Sequence, residues 1–127
     1  MKKLLLILAV ASLSGCASIM DMIPSRWDVN QAKSITDIQQ QAVRFDCKGD
    51  QVAQINALDQ NIEWFVIYSK TKPTRDITKL TDTLQKTVAE YKERASKGPV
   101  SPLYCDLKRK IIIQQTEILA SSVQGRF

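Results

Sequence analysis

Four runs of apolar residues recur at three- and four-residue steps and are separated by Gly and Pro, a pattern that constrains the fold more than any other feature of the chain. The first carries Trp27, Ala32, Ile35, Ile38, Ala42 and Phe45, and Lys48-Gly49 stops it. Asp50 caps the second, in which Val52, Ile55, Leu58, Ile62, Phe65 and Ser69 share a face until Lys70-Thr71-Lys72-Pro73 ends the run. A third starts with Thr74 as N-cap and aligns Ile77, Leu80, Leu84, Val88, Tyr91 and Ala95 before Gly98-Pro99. Ser101-Pro102, an N-cap followed by Pro at the first helical position, opens the fourth. There Leu103, Leu107, Ile111, Ile118 and Ser122 fall on one side, and Ile111-Ile112-Ile113 widens it. Within the second run, Trp64 to Tyr68 is rich in strand-favouring residues, so a short strand there is the main rival reading. Loops of a few residues between helices of this length require antiparallel neighbours. The pattern predicts an all-α, up-down-up-down four-helix bundle over residues 27–127.

Chemistry is limited by what the chain lacks. Its 127 residues allow one small domain plus a short targeting or tether segment. It has no histidine, which removes imidazole bases, His-ligated metals and triads built on His. Carboxylates, lysines, tyrosines and thiols remain. Asp59 with Glu63 and Glu90 with Glu93 are each one helical turn apart, but both pairs fall on polar faces beside Lys or Gln and read as solvated charge. A small packed bundle is also expected to offer little cleft for a sugar chain. No enzymatic activity, cofactor or metal is expected.

The first residues carry an address. Lys2 and Lys3 make a positive start, Leu4 to Leu13 an apolar run too short to span a bilayer permanently, and Ser14 and Gly15 are small residues before Cys16. Leu13-Ser14-Gly15-Cys16 closely resembles the lipobox of bacterial lipoproteins, and the resemblance covers residues 1–17. It implies that 1–15 are a signal peptide and that Cys16 takes lipid, a diacylglyceryl thioether and palmitate-type acyl chains, and becomes the first mature residue. Ala17, where an aspartate would retain such a protein on the inner membrane, implies delivery to the outer membrane, with the domain facing the periplasm. Residues 16–26 then form an acylated Cys and tether, reaching at most about 35 Å when extended. Removing Lys2 and Lys3 from the 18 basic residues leaves 16 against 13 acidic ones, a net charge of +3. That mild excess, with few aromatics, does not suggest nucleic acid.

In an exported domain the remaining thiols, Cys47 and Cys105, are an even pair, and a disulfide is the default. Up-down connectivity brings the end of the first helix and the start of the fourth to the same end, so pairing and topology agree.

Three constellations are candidate contact sites. Lys70, Lys72 and Arg75 bracket Pro73 in a basic turn on the side where the first helix begins, suited to phosphate headgroups, with an ordinary polar turn as the alternative. Lys108, Arg109 and Lys110 form a basic run toward the other end. Trp64 and Tyr68, four residues apart, share a second face of their helix and read as core or as a partner-binding pair. The favoured expectation is a non-enzymatic outer-membrane lipoprotein that tethers or binds an envelope protein or peptidoglycan. Alternatives are a phage- or plasmid-encoded envelope lipoprotein acting as an inhibitor, superinfection-exclusion factor or lysis spanin subunit, and, as a third class, a cell-wall-active enzyme.

Overall fold

Asp28 starts the first helix. Its carboxylate accepts hydrogen bonds from the backbone N–H groups of Asn30 and Gln31, both at 3.0 Å, and satisfies donors that a helix leaves open. In the computed structural model, which describes residues 26–72 and 75–126, four helices follow: α1 Val29–Arg44, α2 Gln51–Ser69, α3 Arg75–Ser96 and α4 Pro102–Gln124. They hold 81% of the described residues, and no strand occurs among these. Trp64 to Tyr68 is helical, because the three- and four-residue stripe through Ile62, Phe65 and Ser69 continues across it and is buried. The expected signal peptide, Cys16, nearly all of the tether, and Thr74 as N-cap lie outside the described residues.

α1 ends at Arg44, earlier than the run to Lys48-Gly49 predicts. Asp46 and Gln54 build the turn instead. Gln54 takes the Asp46 N–H on its Oε1 at 2.7 Å and returns its Nε2 to the Asp46 carbonyl at 3.0 Å, while Asp46 Oδ1 accepts from the Lys48 N–H at 2.8 Å. A Cβ on Gly49 would stand 3.1 Å from Gln54 Nε2, so this bracket leaves little room for a side chain there. Asp50 caps α2 through the Ala53 N–H, and Ser101 caps α4 through the Tyr104 N–H with Pro102 behind it, as expected from sequence. Gly98 turns the chain after α3 with φ +139°, a conformation that residues with a Cβ rarely adopt.

Each helix packs on its neighbours in sequence, and α1 closes the ring against α4 while diagonal pairs stay apart. This is the expected up-down-up-down bundle. Its core is made by Ile35, Ile38 and Ala42 of α1, Ile55, Leu58, Ile62 and Phe65 of α2, and Ile77, Leu84, Val88 and Tyr91 of α3, all nearly inaccessible. Buried threonines lose little, because their hydroxyls donate to carbonyls one turn back on the same helix, as Thr81 does to Thr78 and Thr116 to Ile113. Two expected core positions are at the surface: Trp27, before the first helical turn, is 50% exposed, and Val52 is exposed beside the turn.

The fourth helix corrects the sequence reading most. Leu103, Leu107, Ile111 and Ile118 are exposed, Leu103 by 71%, and the buried face is Cys105, Ile112, Thr116, Leu119, Ala120 and Val123. At about 100° per residue the two stripes point roughly 150° apart. The disulfide selects between them: Cys105 must face the α1–α2 turn, and the stripe through Cys105 follows it inward. An expected consequence is that Leu107→Ser shifts the urea-unfolding free energy by no more than about 0.5 kcal/mol. Leu119→Ala should lower it by about 2–5 kcal/mol. The reverse order would restore the outer stripe to the core.

Candidate functional site

The two ends of the bundle and the seam between α1 and α2 hold the chain's chemically distinctive residues. At the end where α4 begins, Cys47 and Cys105 are joined, with Cα atoms 5.9 Å apart, linking the α1–α2 turn to the first turn of α4. Tyr91 packs edge-on against Phe45, its hydroxyl donates to Gln51 Oε1, and Tyr104 lies beyond it. Burial pushes the Tyr91 phenol up to about 12, with the neighbouring Tyr104 phenol adding to the rise. The unfolded chain ionises first, near the ordinary value of 10.0. Stability from keeping this phenol neutral is therefore fully present below about pH 10 and is lost as pH rises toward about 12, on the order of 3 kcal/mol in all. Between those pH values wild type should lose more stability than Tyr91→Phe. Parallel losses in alkaline thermal melts would contradict that assignment.

The basic run at this end is divided rather than pooled. Lys108 bonds Glu90 at 2.8 Å and sits over the Tyr104 ring. Arg109 reaches the carbonyls of Val43 and Phe45 at the end of α1, where a helix presents unpaired oxygens, and Lys110 pairs at 2.9 Å with Asp106, which also lies 3.8 Å from Arg109. The neighbouring cations hold the carboxyls of Glu90 and Asp106 below their usual range, Lys108 bonding the former and Lys110 the latter. Three of the four carboxylates considered as catalytic pairs are likewise engaged, Asp59 with Lys92, Glu90 with Lys108 and Glu93 with Lys97, while Glu63 lies exposed on α2.

At the opposite end Asp28 gathers several elements. Tyr68 donates to its Oδ2 at 3.2 Å, Lys72 lies 3.2 Å from the same oxygen, and Asn30 Nδ2 donates to the Tyr68 hydroxyl at 3.0 Å. The Gln31 N–H, before Lys72 and Tyr68, holds the Asp28 carboxyl below the usual aspartate range against the cost of desolvation. Arg126, after α4, pairs with Asp76 at the start of α3. Lys70, Lys72 and Arg75 border a cavity of about 280 Å³ that Ser69, Thr78 and Thr81 also line, so the basic turn is a lined recess and not a bare loop.

Trp64 is neither core nor loose. It is 50% exposed and stacks on Tyr68, centroids 5.1 Å apart and planes 6° from parallel. Since Tyr68 is fastened to Asp28 and Asn30, the indole is held as a fixed platform. It stands at one end of a groove of about 600 Å³ between α1 and α2, walled by Asn30, Ser34, Asp37 and Gln41 on one side and by Asn61 on the other. A second cavity of about 220 Å³ shares Gln40 and Gln41 with the first and continues toward Arg44 and Gln54. The expectation of little cleft fails here, because polar side chains line the outer seam of α1 and α2 and do not close it. The signal was present in the spacing: Asn30, Ser34, Asp37, Gln41 and Arg44 recur at three- and four-residue steps, as an apolar stripe would. Among the described residues no cluster of acidic or thiol side chains could hold a metal ion, and no helix is long and apolar enough to cross a membrane.

Comparison with known proteins finds no matching family model, curated protein or solved structure.

Proposed function

We propose that this chain is a lipoprotein anchored in the outer membrane through acylated Cys16, and that its helical domain faces the periplasm as a non-enzymatic tether or interaction module. The observation that carries the reading is Leu13-Ser14-Gly15-Cys16 behind a charged and apolar leader, followed by Ala17. Two features support it. The bond between Cys47 and Cys105 suits a compartment where oxidation persists. The chain has no histidine, and Asp59, Glu90 and Glu93 are all held by lysines, which suits a binding role better than acid–base chemistry. Acyl chains contribute about 0.8 kcal/mol per buried methylene, and more than one chain gives stable attachment. In this reading Lys70, Lys72 and Arg75, at the end where α1 begins, lie on the membrane side, where phosphate headgroups would meet them.

Metabolic labelling with a fatty acid tests the anchor. The wild-type protein should carry label and sediment with outer membrane, and Cys16→Ser should lose both. Label that survives Cys16→Ser overturns the assignment. Crosslinking in the intact envelope then identifies what the domain touches.

A further inference from the structure

We infer that the groove between α1 and α2 binds a neutral oligosaccharide, with Trp64 as the platform for a sugar ring and the amides of Gln40, Gln41 and Asn61 as partners for its hydroxyls. Shape comes first. At about 600 Å³ the groove lies within the range of ~300–1,000 Å³ typical of small-molecule sites, and the cavity sharing Gln40 and Gln41 extends it along the seam, which suits a chain of units better than a single compact ligand.

Charge selects the class. The ionised groups bordering the main groove are Lys33 and Asp37, and they neutralise each other at 2.6 Å, so the walls offer no net charge to an anion or a cation. Hydrogen bonding narrows it further. The side chains of Ser34, Gln40, Gln41 and Asn61 make no hydrogen bond to any described residue, and because Gln41 Oε1 is inaccessible that amide meets a sugar through its Nε2. An amide carries both an acceptor and two donors, and a hydroxyl both donates and accepts, so these groups complement the hydroxyl-rich edge of a pyranose. Trp64 supplies the remaining element. Its indole is half exposed and locked by stacking on Tyr68, which the hydroxyl bonds to Asn30 and Asp28 hold in turn. A rigid aromatic face of this kind covers the apolar C–H face of a sugar ring at low entropic cost. The one cation and the one carboxylate of the main groove are already joined, which leaves no unpaired charge there for the side chains of a peptide, and Arg44, Phe45 and Ala57 border only the continuation.

The inference is independent of lipid attachment at Cys16, and its test separates the two. The full chain is purified from whichever fraction holds it, membrane or soluble, in a sugar-free zwitterionic detergent, with Trp27→Phe so that emission reports Trp64. It is titrated with an N-acetylglucosamine tetramer and, in a second arm, with a glucose tetramer. A saturable shift in Trp64 emission with either sugar is expected, the first pointing to a cell-wall glycan and the second to a plain hexose polymer. By calorimetry Trp64→Ala, and separately Gln41→Leu, should weaken the bound sugar at least about tenfold while far-UV circular dichroism stays unchanged. Gln41→Leu keeps the test decisive if loss of the stacked pair disturbs α2. Absence of binding by both sugars at tens of millimolar, binding untouched by both substitutions, or binding of a short peptide in their place overturns the proposal.

Discussion

Replacing Cys47 and Cys105 together by alanine should lower the stability of the domain by about 4 kcal/mol, the chain-entropy value for a loop closed across 58 residues. For a domain of this size that corresponds to a fall in melting temperature on the order of 20 °C. The bond joins the Asp46–Gln54 turn to the first turn of α4, so its removal frees the two elements that close the ring between α1 and α4. Helix content at low temperature should survive, because the caps at Asp28, Asp50 and Ser101 and the buried stripes remain. Thermal melts of the variant, and of wild type with reductant, measure the effect. A shift of only a few degrees would mean that the turn and α4 are held by packing alone, with Phe45, Tyr91 and Tyr104 sufficient.

Phe65→Ala should cost about 3–5 kcal/mol, by transfer of the ring to water and by the cavity left behind. Phe65 is completely buried on α2, between Ile62 and Ser69 on the same stripe. It lies on the order of 20 Å along the helix from Gln51, far from the disulfide, so the two losses should add. Their sum, about 8 kcal/mol, is comparable to the whole margin of a small domain. Phe65→Ala should therefore remain folded while oxidised and unfold largely on reduction at physiological temperature. Denaturant titrations under both conditions check this, and a reduced variant that still unfolds cooperatively at high denaturant would show that the core at this level repacks.

Much of this architecture can be read directly from residue order. Asp50, Ser101-Pro102 and Gly98-Pro99 are local signals whose physics lies within a few residues, and the structure uses all of them. The stripe of α3 points inward as expected, and on α2 Ile55, Leu58, Ile62, Phe65 and Ser69 are buried while Val52 at its start is not. The Cys47–Cys105 bond was expected from parity and from helix order. On α4 that expectation should also have chosen the face: the stripe through Cys105 and the stripe through Leu107 cannot both point inward. The larger side chains misled, because the true face mixes Cys, Thr and Ala with Ile, Leu and Val.

Of the candidate contact residues, Lys108, Arg109 and Lys110 form one cluster in sequence but divide in space: Lys108 turns to Glu90, Arg109 reaches the end of α1, and Arg109 and Lys110 share Asp106. Consecutive residues of a helix point about 100° apart, so adjacency in the chain does not make a patch. Trp64 and Tyr68 form the opposite case. Four residues apart, they were expected to meet, and they stack.

Residue order by itself determined the helices, their order, the caps at Asp50 and Ser101 and the pairing of two thiols, because each depends on local spacing or on counting. Tertiary structure alone decided which face of α4 is buried, that α1 stops at Arg44, and that a polar seam stays open beside Trp64. Those outcomes depend on how four helices rotate against one another once the disulfide and the core are satisfied together, and that rotation is shared among residues distant in the chain.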